Sequence, residues 1–280
     1  MPVSNRLRLV PVNAADTAVL TASSSASADT GPAQMQTIGR TDVWRSAGTA
    51  ATLTAALASP ITPVDCVALM TSNLSSASTW RVRVLAGGGA VLFDSGAVLA
   101  CPPKPFEQFD WGFQPLGVNA FTFGLFTQSV CWLPARVAAA SVVIDINDPS
   151  NPAGYVEAAR LVIGETWVPE YNYAYGAGLT WSSLAKGGRA EDGTLRTEAG
   201  ASLRRLSLSL EAMTDTDRRR FAELGRNVGL VKDFLVSARP TAADAAAVAD
   251  YTLMAKFARD PAHNSRSFGR HAAAIEIEEA

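Results

Sequence analysis

Residues 142–169 constrain the fold more than any other part of the chain, because two strand-like runs there flank one cluster of turn residues. The first run, 142–146, is rich in β-branched side chains, and the second, 155–163, is largely apolar. Between them, residues 147–154 supply the Asn, Asp, Pro, Ser and Gly that favour turns. This order predicts two strands at the edge of a β-sandwich rather than an active site.

Alternation of apolar and polar residues extends the β prediction along the chain. Trp80, Val82 and Val84 occupy one face of a short run and the arginines between them occupy the other, as in a half-buried strand. In the later run, Glu157 and Arg160 must contact water or each other if that strand is also half buried. Further strand-like runs lie at 41–46, 51–57 and 64–70.

Composition sets the size and charge of the molecule. A chain of 280 residues is long enough for two ordinary domains at roughly 150 residues each. With 48% hydrophobic and 18% charged residues it can fill packed cores, which excludes general disorder. The formal net charge of -2 gives it no reason to bind phosphate backbones, so we expect no nucleic-acid partner.

Neither the cysteines nor the histidines suggest a cofactor or a metal. The three cysteines are an odd number without CxxC spacing and are expected to be buried thiols. His263 and His271 lack the ligand spacing of zinc sites, and the sequence shows no convincing nucleophile or orienting carboxylate for them. No stretch approaches the roughly 20 apolar residues that span a bilayer, and the N-terminal residues do not form a secretory signal. We therefore expect a soluble protein without a transmembrane segment.

The turn cluster also offers oxygen atoms to a calcium ion. These oxygens belong to Asp145, Asn147, Asp148 and Asn151. Their spacing departs from that of an EF-hand, and the two prolines among them explain the segment as a turn. A turn is therefore the preferred interpretation, and no metal site is predicted.

Residues 101–124 form a long irregular segment that is rich in proline, glycine and aromatic side chains. The segment could cover the sandwich with buried rings, or it could present aromatic faces that stack on sugars or partner side chains. Burial is the preferred interpretation, because large aromatic side chains normally enter the core. If the chain does present a ligand-binding surface, the candidate glycan or partner contacts are Phe109, Trp111, Trp132 and Tyr173.

A different organisation begins after residue 168. Polar and aromatic loops lead to a strand near 203–210, and residues 214–229 show the N-cap, amphipathic spacing and closing glycine of a helix. An alternating strand at 274–278 follows near the end. The sequence thus predicts a β-sandwich over 1–168 and a β-rich domain with one helix over 169–280.

Several short stretches carry a resemblance to known architectures, namely 43–46, 67–75, 80–84, 93–96 and 154–164. In this order they resemble the galactose-binding-like jelly rolls of carbohydrate-binding modules and of tail-tip proteins of long-tailed bacteriophages. The later strands and helix resemble the small β-barrel with a flanking helix that phage tail-tube, distal-tail and hub proteins use to make rings. The resemblance implies a mainly β fold, in which a jelly-roll β-sandwich precedes a smaller β-barrel-like domain.

The resemblance also implies a function. The chain would be a virion structural protein of a phage tail tip or baseplate, assembled into a symmetric ring. Its partners would be other tail and baseplate proteins and copies of itself, and it could also contact a host surface glycan. It would be located in the virion after assembly in the host cytoplasm. The sequence shows no catalytic constellation, so we expect no enzyme and no cofactor.

Two alternatives remain open. One is a stand-alone carbohydrate-binding module that uses the aromatic candidates as stacking surfaces. The other is a glycosidase, which needs a pair of carboxyl groups. Glu165 and Glu170 are the pair that the sequence suggests, but they lie in an apparent linker, where exposed carboxylates are ordinary.

Overall fold

The structure is a computed structural model that describes residues 5–101, 106–108, 111–113, 127–189, 191–241, 244–267 and 269–280. The chain forms two compact units. The first comprises Met1–Trp167 with Leu235–Thr252, and the second comprises Val168–Phe234 with Leu253–Ala280.

Antiparallel strands make up most of the described chain. The first strands are β1 (Arg8–Val10), β2 (Val19–Ala22), β3 (Trp44–Arg45), β4 (Ala50–Ala56), β5 (Thr62–Ser72), β6 (Thr79–Leu85), β7 (Val91–Asp94), β8 (Val98–Leu99), β9 (Thr127–Ala139), β10 (Ser141–Asn147) and β11 (Glu157–Gly164). The later strands are β12 (Gly178–Ser183), β13 (Lys186–Arg189), β14 (Leu195–Glu198), β15 (Ser202–Met213), β16 (Phe234–Ser237), β17 (Thr252–Phe257), β18 (Ala262–Ser267) and β19 (Arg270–Glu279). The helices are α1 (Asp215–Val228) and α2 (Ala245–Asp250), with short 3-10 turns at Ala14–Thr17, Pro32–Gln36 and Phe106–Gln108.

Two sheets share one hydrophobic core in the first unit. The six-stranded sheet has the order β2-β4-β10-β6-β7 with β8 also on β6, and the four-stranded sheet has the order β3-β11-β5-β9. From β4 to β11 the chain passes repeatedly between these sheets, which is the path of a jelly roll. Ile144 lies between Leu53 and Val82 in register, and Leu69 and Leu161 enter the same core from the other sheet.

Strand β11 is buried on both of its faces. Leu161 enters the sandwich core, while Val162, which points the opposite way in an extended strand, is also buried. The segment that follows β1 covers this second face, since a Cβ at Gly164 would clash with the Val12 carbonyl oxygen and the Val10 side chain. Only glycine fits at this close approach.

Strands β1 and β16 pair with each other and form a third layer beside the two sheets of the sandwich. Leu9 pairs with Val236, and every residue of β16 is buried. Near α2, the Ala249 carbonyl accepts a hydrogen bond of 2.9 Å from the Gln128 side chain on β9. Residues 235–252 therefore contribute to the packing of the first unit.

The two charged residues of β11 contact other partners instead of each other. Arg160 is only 5% exposed, and its guanidinium donates to both carboxylate oxygens of Asp16 at 2.6 and 3.0 Å. Glu157 forms an ion pair of 2.6 Å with Arg45 on the neighbouring strand β3. Each charge on this strand is thus neutralised by a residue that is distant in sequence.

The second unit is a smaller antiparallel sheet with a flanking helix. Strand β15 pairs with β12 and β19, and β19 also pairs with β17 and β18. Helix α1 begins after Thr214, whose hydroxyl accepts from the Asp217 N–H at 3.3 Å, and ends at Gly229 with a φ of 55°. Phe221 and Leu224 give this helix its buried face.

The predicted fold class is confirmed: the chain is mainly β, with a jelly-roll sandwich followed by a smaller β-rich unit and a flanking helix. The short helix α2 was not predicted. All three thiols are free; Cys66 and Cys101 are buried, and Cys131 is partly buried. Burial raises the pKa of Cys131 to about 11.

Candidate interaction surfaces

Loops at one end of the sandwich are held by Asp148, which is fully buried. Its carboxylate accepts hydrogen bonds from the Ser75 N–H at 2.8 Å, the Ser75 hydroxyl at 2.5 Å and the Asn151 amide at 3.0 Å. The Asn151 amide also donates to the Asn73 carbonyl. The loop after β10 is therefore fixed against the loop after β5.

The oxygen atoms considered for calcium do not converge. Asp145 lies on β10, where its carboxylate contacts Thr52 at 2.9 Å and Arg83 at 2.6 Å. Asp148 is occupied by the donors of Ser75 and Asn151. Within the described ranges, no group of three or more His, Cys, Asp or Glu residues could hold a metal ion.

The residues that flank the aromatic segment lie at the same end of the sandwich. Where it begins, the Cys101 thiol lies 3.8 Å from the Leu74 carbonyl oxygen. Where β9 begins, the hydroxyls of Thr127 and Ser72 are 2.8 Å apart and buried. The residue before Ser72, Thr71, has a φ of 56°, a strained value for a β-branched side chain. Cys101 and Thr127, which flank residues 102–126, thus contact the end of β5 and the loop that follows it.

Three aromatic side chains of this segment are exposed. Phe106 is 66%, Trp111 63% and Phe113 92% exposed, and the rings of Phe106 and Trp111 meet edge to face with centroids 4.8 Å apart. Burial, the preferred interpretation of the sequence, is therefore wrong for these three rings. Phe109 lies outside the described residues. Trp111 remains a candidate ligand contact.

The other predicted contact residues lie in different surroundings. Trp132 is partly buried on β9, and the Arg8 guanidinium carbon lies 5.0 Å from its ring centroid. One face of this ring is therefore already occupied by a cation. Tyr173 is partly buried in the second unit. Trp111 and Trp132 belong to the first unit and Tyr173 to the second, and the roles of all three stay predictions.

The carboxyl pair considered for glycoside hydrolysis has other contacts. Glu165 forms an ion pair with Arg136 in the first unit. Glu170 belongs to the second unit, where its backbone N–H donates to the Asp217 carboxylate at 3.1 Å. Neither contact shows the arrangement that glycoside hydrolysis requires, in which one carboxyl group acts as the general acid and faces a second carboxylate.

His271 has polar partners that the sequence analysis missed. Its Nε2 lies 2.9 Å from Asp215 Oδ1, and its Nδ1 lies 3.1 Å from the Ser265 hydroxyl. The hydrogen bond with His271 holds the pKa of Asp215 below its ordinary value. The register of β18 with β19, which sets Ser265 opposite His271, is the signal that could have revealed the serine. The network ties α1 to two strands.

Strands β13 and β14 form an exposed arm, which lies between β12 and β15 in sequence. Every residue of β13 and β14 is exposed, and within the described part of the chain the two strands pair only with each other. Trp181, Leu184 and Leu195 on and beside the arm are 57%, 56% and 60% exposed. At its base, a Cβ on Gly200 would clash with the backbone of Leu184. The two chain segments therefore approach closely there.

Comparison with known proteins gives structural neighbours only. No family model and no curated protein matches the sequence. A carbohydrate-binding module from Clostridium perfringens, solved with GalNAc-β-1,3-galactose, has a TM-score of 0.38 and 10% identity and covers 56% of this chain and 99% of its own. Chitosan-binding module 1 from Paenibacillus sp. IK-5 has a TM-score of 0.38 and 16% identity, and the match covers 55% of this chain and 99% of the module. The family 32 carbohydrate-binding module of Streptococcus pneumoniae EndoD has a TM-score of 0.39 and 11% identity, and the match covers 55% of this chain and 99% of the module.

Likenesses of this strength carry no argument about what the chain binds. In the described ranges, no helix has both the length and the apolar character needed to cross a membrane.

Proposed function

We propose that this chain is a non-catalytic structural subunit that assembles with other proteins through the β13–β14 arm. The single observation that carries the proposal is the exposure of every residue in both strands of the arm. A two-stranded hairpin without a buried face is marginally stable in water. Such an arm gains stability when it packs on a partner.

The strand next to the arm supports the same conclusion. β12 is the last strand in its sheet order, and its sequence, Gly178–Ser183, contains no charged residue and no proline. Edge strands of soluble proteins normally carry such residues, because unpaired backbone groups otherwise recruit further strands. The exposed ring of Trp181 adds apolar area at this edge. Aromatic residues of this kind are enriched at protein interfaces.

The sequence resemblance suggests the assembly, namely the tail tip or baseplate of a long-tailed bacteriophage. In this proposal the subunit contacts copies of itself and other tail proteins, and it forms in the host cytoplasm before residing in the virion. A head-to-tail contact of the arm with the next copy repeats around an axis and closes into a ring.

Mass photometry of the full chain tests this function, both alone and mixed with the proteins encoded beside it. We expect one closed oligomer, or one complex with the neighbouring proteins. A chain that stays monomeric in both settings at high micromolar concentration would overturn the proposal.

A second candidate function is glycan binding by the sandwich. The observation that favours it is the exposure of Phe106, Trp111 and Phe113. Exposed aromatic rings of this kind can stack on the faces of sugar rings. This role is compatible with assembly through the second unit.

Calorimetric titration with GalNAc-β-1,3-galactose and with chitosan oligosaccharides tests glycan binding. We expect Trp111→Ala to weaken binding about fivefold, because a stacked ring contributes about 1 kcal/mol. Trp181→Ala is the matched control, since Trp181 is similarly exposed but lies in the second unit. Equal losses in both variants, or no binding of either sugar by the unmodified chain, would count against this candidate.

A further inference from the structure

We infer that Ser265 is an activated hydroxyl that accepts an acyl group from an activated ester, with His271 as its base and Asp215 as the group that orients the base. All three residues belong to the second unit. This covalent modification site goes beyond the proposed assembly function and does not depend on it.

The hydrogen bonds of His271 connect a hydroxyl to a carboxylate through the two nitrogens of one ring. Nδ1 lies 3.1 Å from the Ser265 hydroxyl oxygen, and Nε2 lies 2.9 Å from Asp215 Oδ1. Hydrogen bonds of this length, from nucleophile to base and from base to an orienting group, are the mark of an activated nucleophile. The register of β18 with β19 sets Ser265 opposite His271, and Asp215 is the first residue of α1.

Asp215 determines which nitrogen of His271 faces the serine without a proton. The hydrogen bond with His271 holds the pKa of Asp215 below its ordinary value, so Asp215 is ionised at neutral pH and can only accept a hydrogen bond. In the neutral ring the proton is therefore on Nε2, and Nδ1 accepts from the Ser265 hydroxyl. In serine proteases the two nitrogens have the opposite partners, but there too one bare nitrogen faces the hydroxyl.

The base is held in place, while the serine is open to solvent. His271 is only 8% exposed, and its ring meets the ring of His263 nearly edge to face, with centroids 6.5 Å apart. Ser265 is exposed, and within the described part of the chain its strand, β18, pairs only with β19. A donor in solution can therefore reach Ser265 while packing keeps His271 in its orientation.

The reaction is an acyl transfer to the serine oxygen. This oxygen forms a bond to the acyl carbon of the ester as the bond between that carbon and the leaving oxygen breaks. The serine proton moves to His271 Nδ1, and the leaving group departs with the electron pair of the broken bond and then takes up this proton. The ionised Asp215 stabilises the charged ring in between. Because the serine lies at the surface, the donor class that fits is an ester with a good leaving group, such as an aryl ester.

Acetylation of the full chain by p-nitrophenyl acetate, followed over time by tandem mass spectrometry of its peptides, tests this inference. Ser267 is the matched internal control, because it is exposed on the same strand but lies opposite Arg270 instead of a histidine. A positioned general base supplies about a hundredfold or more, so we expect Ser265 to be acetylated about a hundredfold faster than Ser267.

Two variants separate activation from exposure. His271→Gln removes the base, so we expect the rate at Ser265 to fall to the rate at Ser267. Asp215→Asn removes the orienting charge, and we expect a fall of at least about tenfold at Ser265 with no change at Ser267. Circular dichroism checks that each variant is folded, and Asp215→Asn carries the test if His271→Gln does not fold, because the Asp215 side chain is 63% exposed. Equal rates at the two serines of the unmodified chain, or a rate at Ser265 that the folded variants leave unchanged, overturn the inference.

Discussion

Asp215 shows how one carboxylate can hold three elements together at the residue scale. It lies at the start of α1, contacts His271 on β19, and through that ring is linked to Ser265 on β18. Its pKa is lowered in the folded chain, mainly by the hydrogen bond with His271. A carboxyl group with a lowered folded pKa stabilises the fold above its unfolded pKa and loses that contribution as the pH falls through the folded pKa.

We therefore expect Asp215→Asn to lower the thermal unfolding midpoint at neutral pH and to match the unmodified chain in strong acid, where Asp215 is protonated. Unfolding followed by circular dichroism across this pH range measures the difference. Glu191→Gln, in the exposed turn of the arm, is the control for the loss of one carboxylate. A constant difference between Asp215→Asn and the unmodified chain at all pH values would contradict this account.

Local periodicity predicted single residues well, but long-range contacts were not predictable from the sequence. Trp80, Val82 and Val84 are buried as their alternation indicates. The partner of Asp215 lies 56 residues away in sequence, and no local pattern reveals such a contact. The exposed rings near Trp111 were missed for a different reason, because the general tendency of aromatic residues to be buried does not identify the exceptions.

At the scale of elements, the helix expected over 214–229 forms over Asp215–Val228, because its N-cap, apolar spacing and closing glycine are all local signals. The arm had weaker signals. Its strands contain Gly187 and Gly188 and few apolar residues, and this composition is typical of a loop. The sequence therefore predicts a loop here, whereas the structure forms paired strands.

Replacing residues 186–198 with an Asn-Gly turn tests the role of the arm as an element. Because these strands bury no side chains of their own, we expect the melting temperature to stay within about 2 °C of the unmodified chain. We also expect self-assembly to be lost. A variant that assembles normally would show that the arm is not the contact, and one that fails to fold would show that the arm contributes to the core.

At the scale of the whole molecule, the β-sandwich could be predicted from alternating strands, but its third layer could not. That layer uses β16, which pairs with β1 at residues more than two hundred positions apart in sequence. Both strands are short, and each appears in the sequence as an ordinary apolar run. The need for this layer arises only in the folded chain, because β11 is buried on both of its faces and the second face has to be covered.

A fragment of residues 1–168 should therefore be unstable. It lacks β16 and α2, so one face of its four-stranded sheet loses part of its cover. We expect it to unfold without a cooperative transition, and we expect addition of residues 235–252 through a flexible linker to restore one. Differential scanning calorimetry of the two fragments measures this. If the shorter fragment unfolds cooperatively at the same temperature as the longer one, the third layer does not stabilise the sandwich and this expectation is contradicted.

We propose that this molecule functions by assembling, and the mass of the purified full chain tests this proposal most directly. Mass photometry with negative-stain microscopy should show one closed ring, or one defined complex with the proteins encoded beside it. A monomer in both settings would contradict the account and leave glycan binding by the sandwich as the leading function.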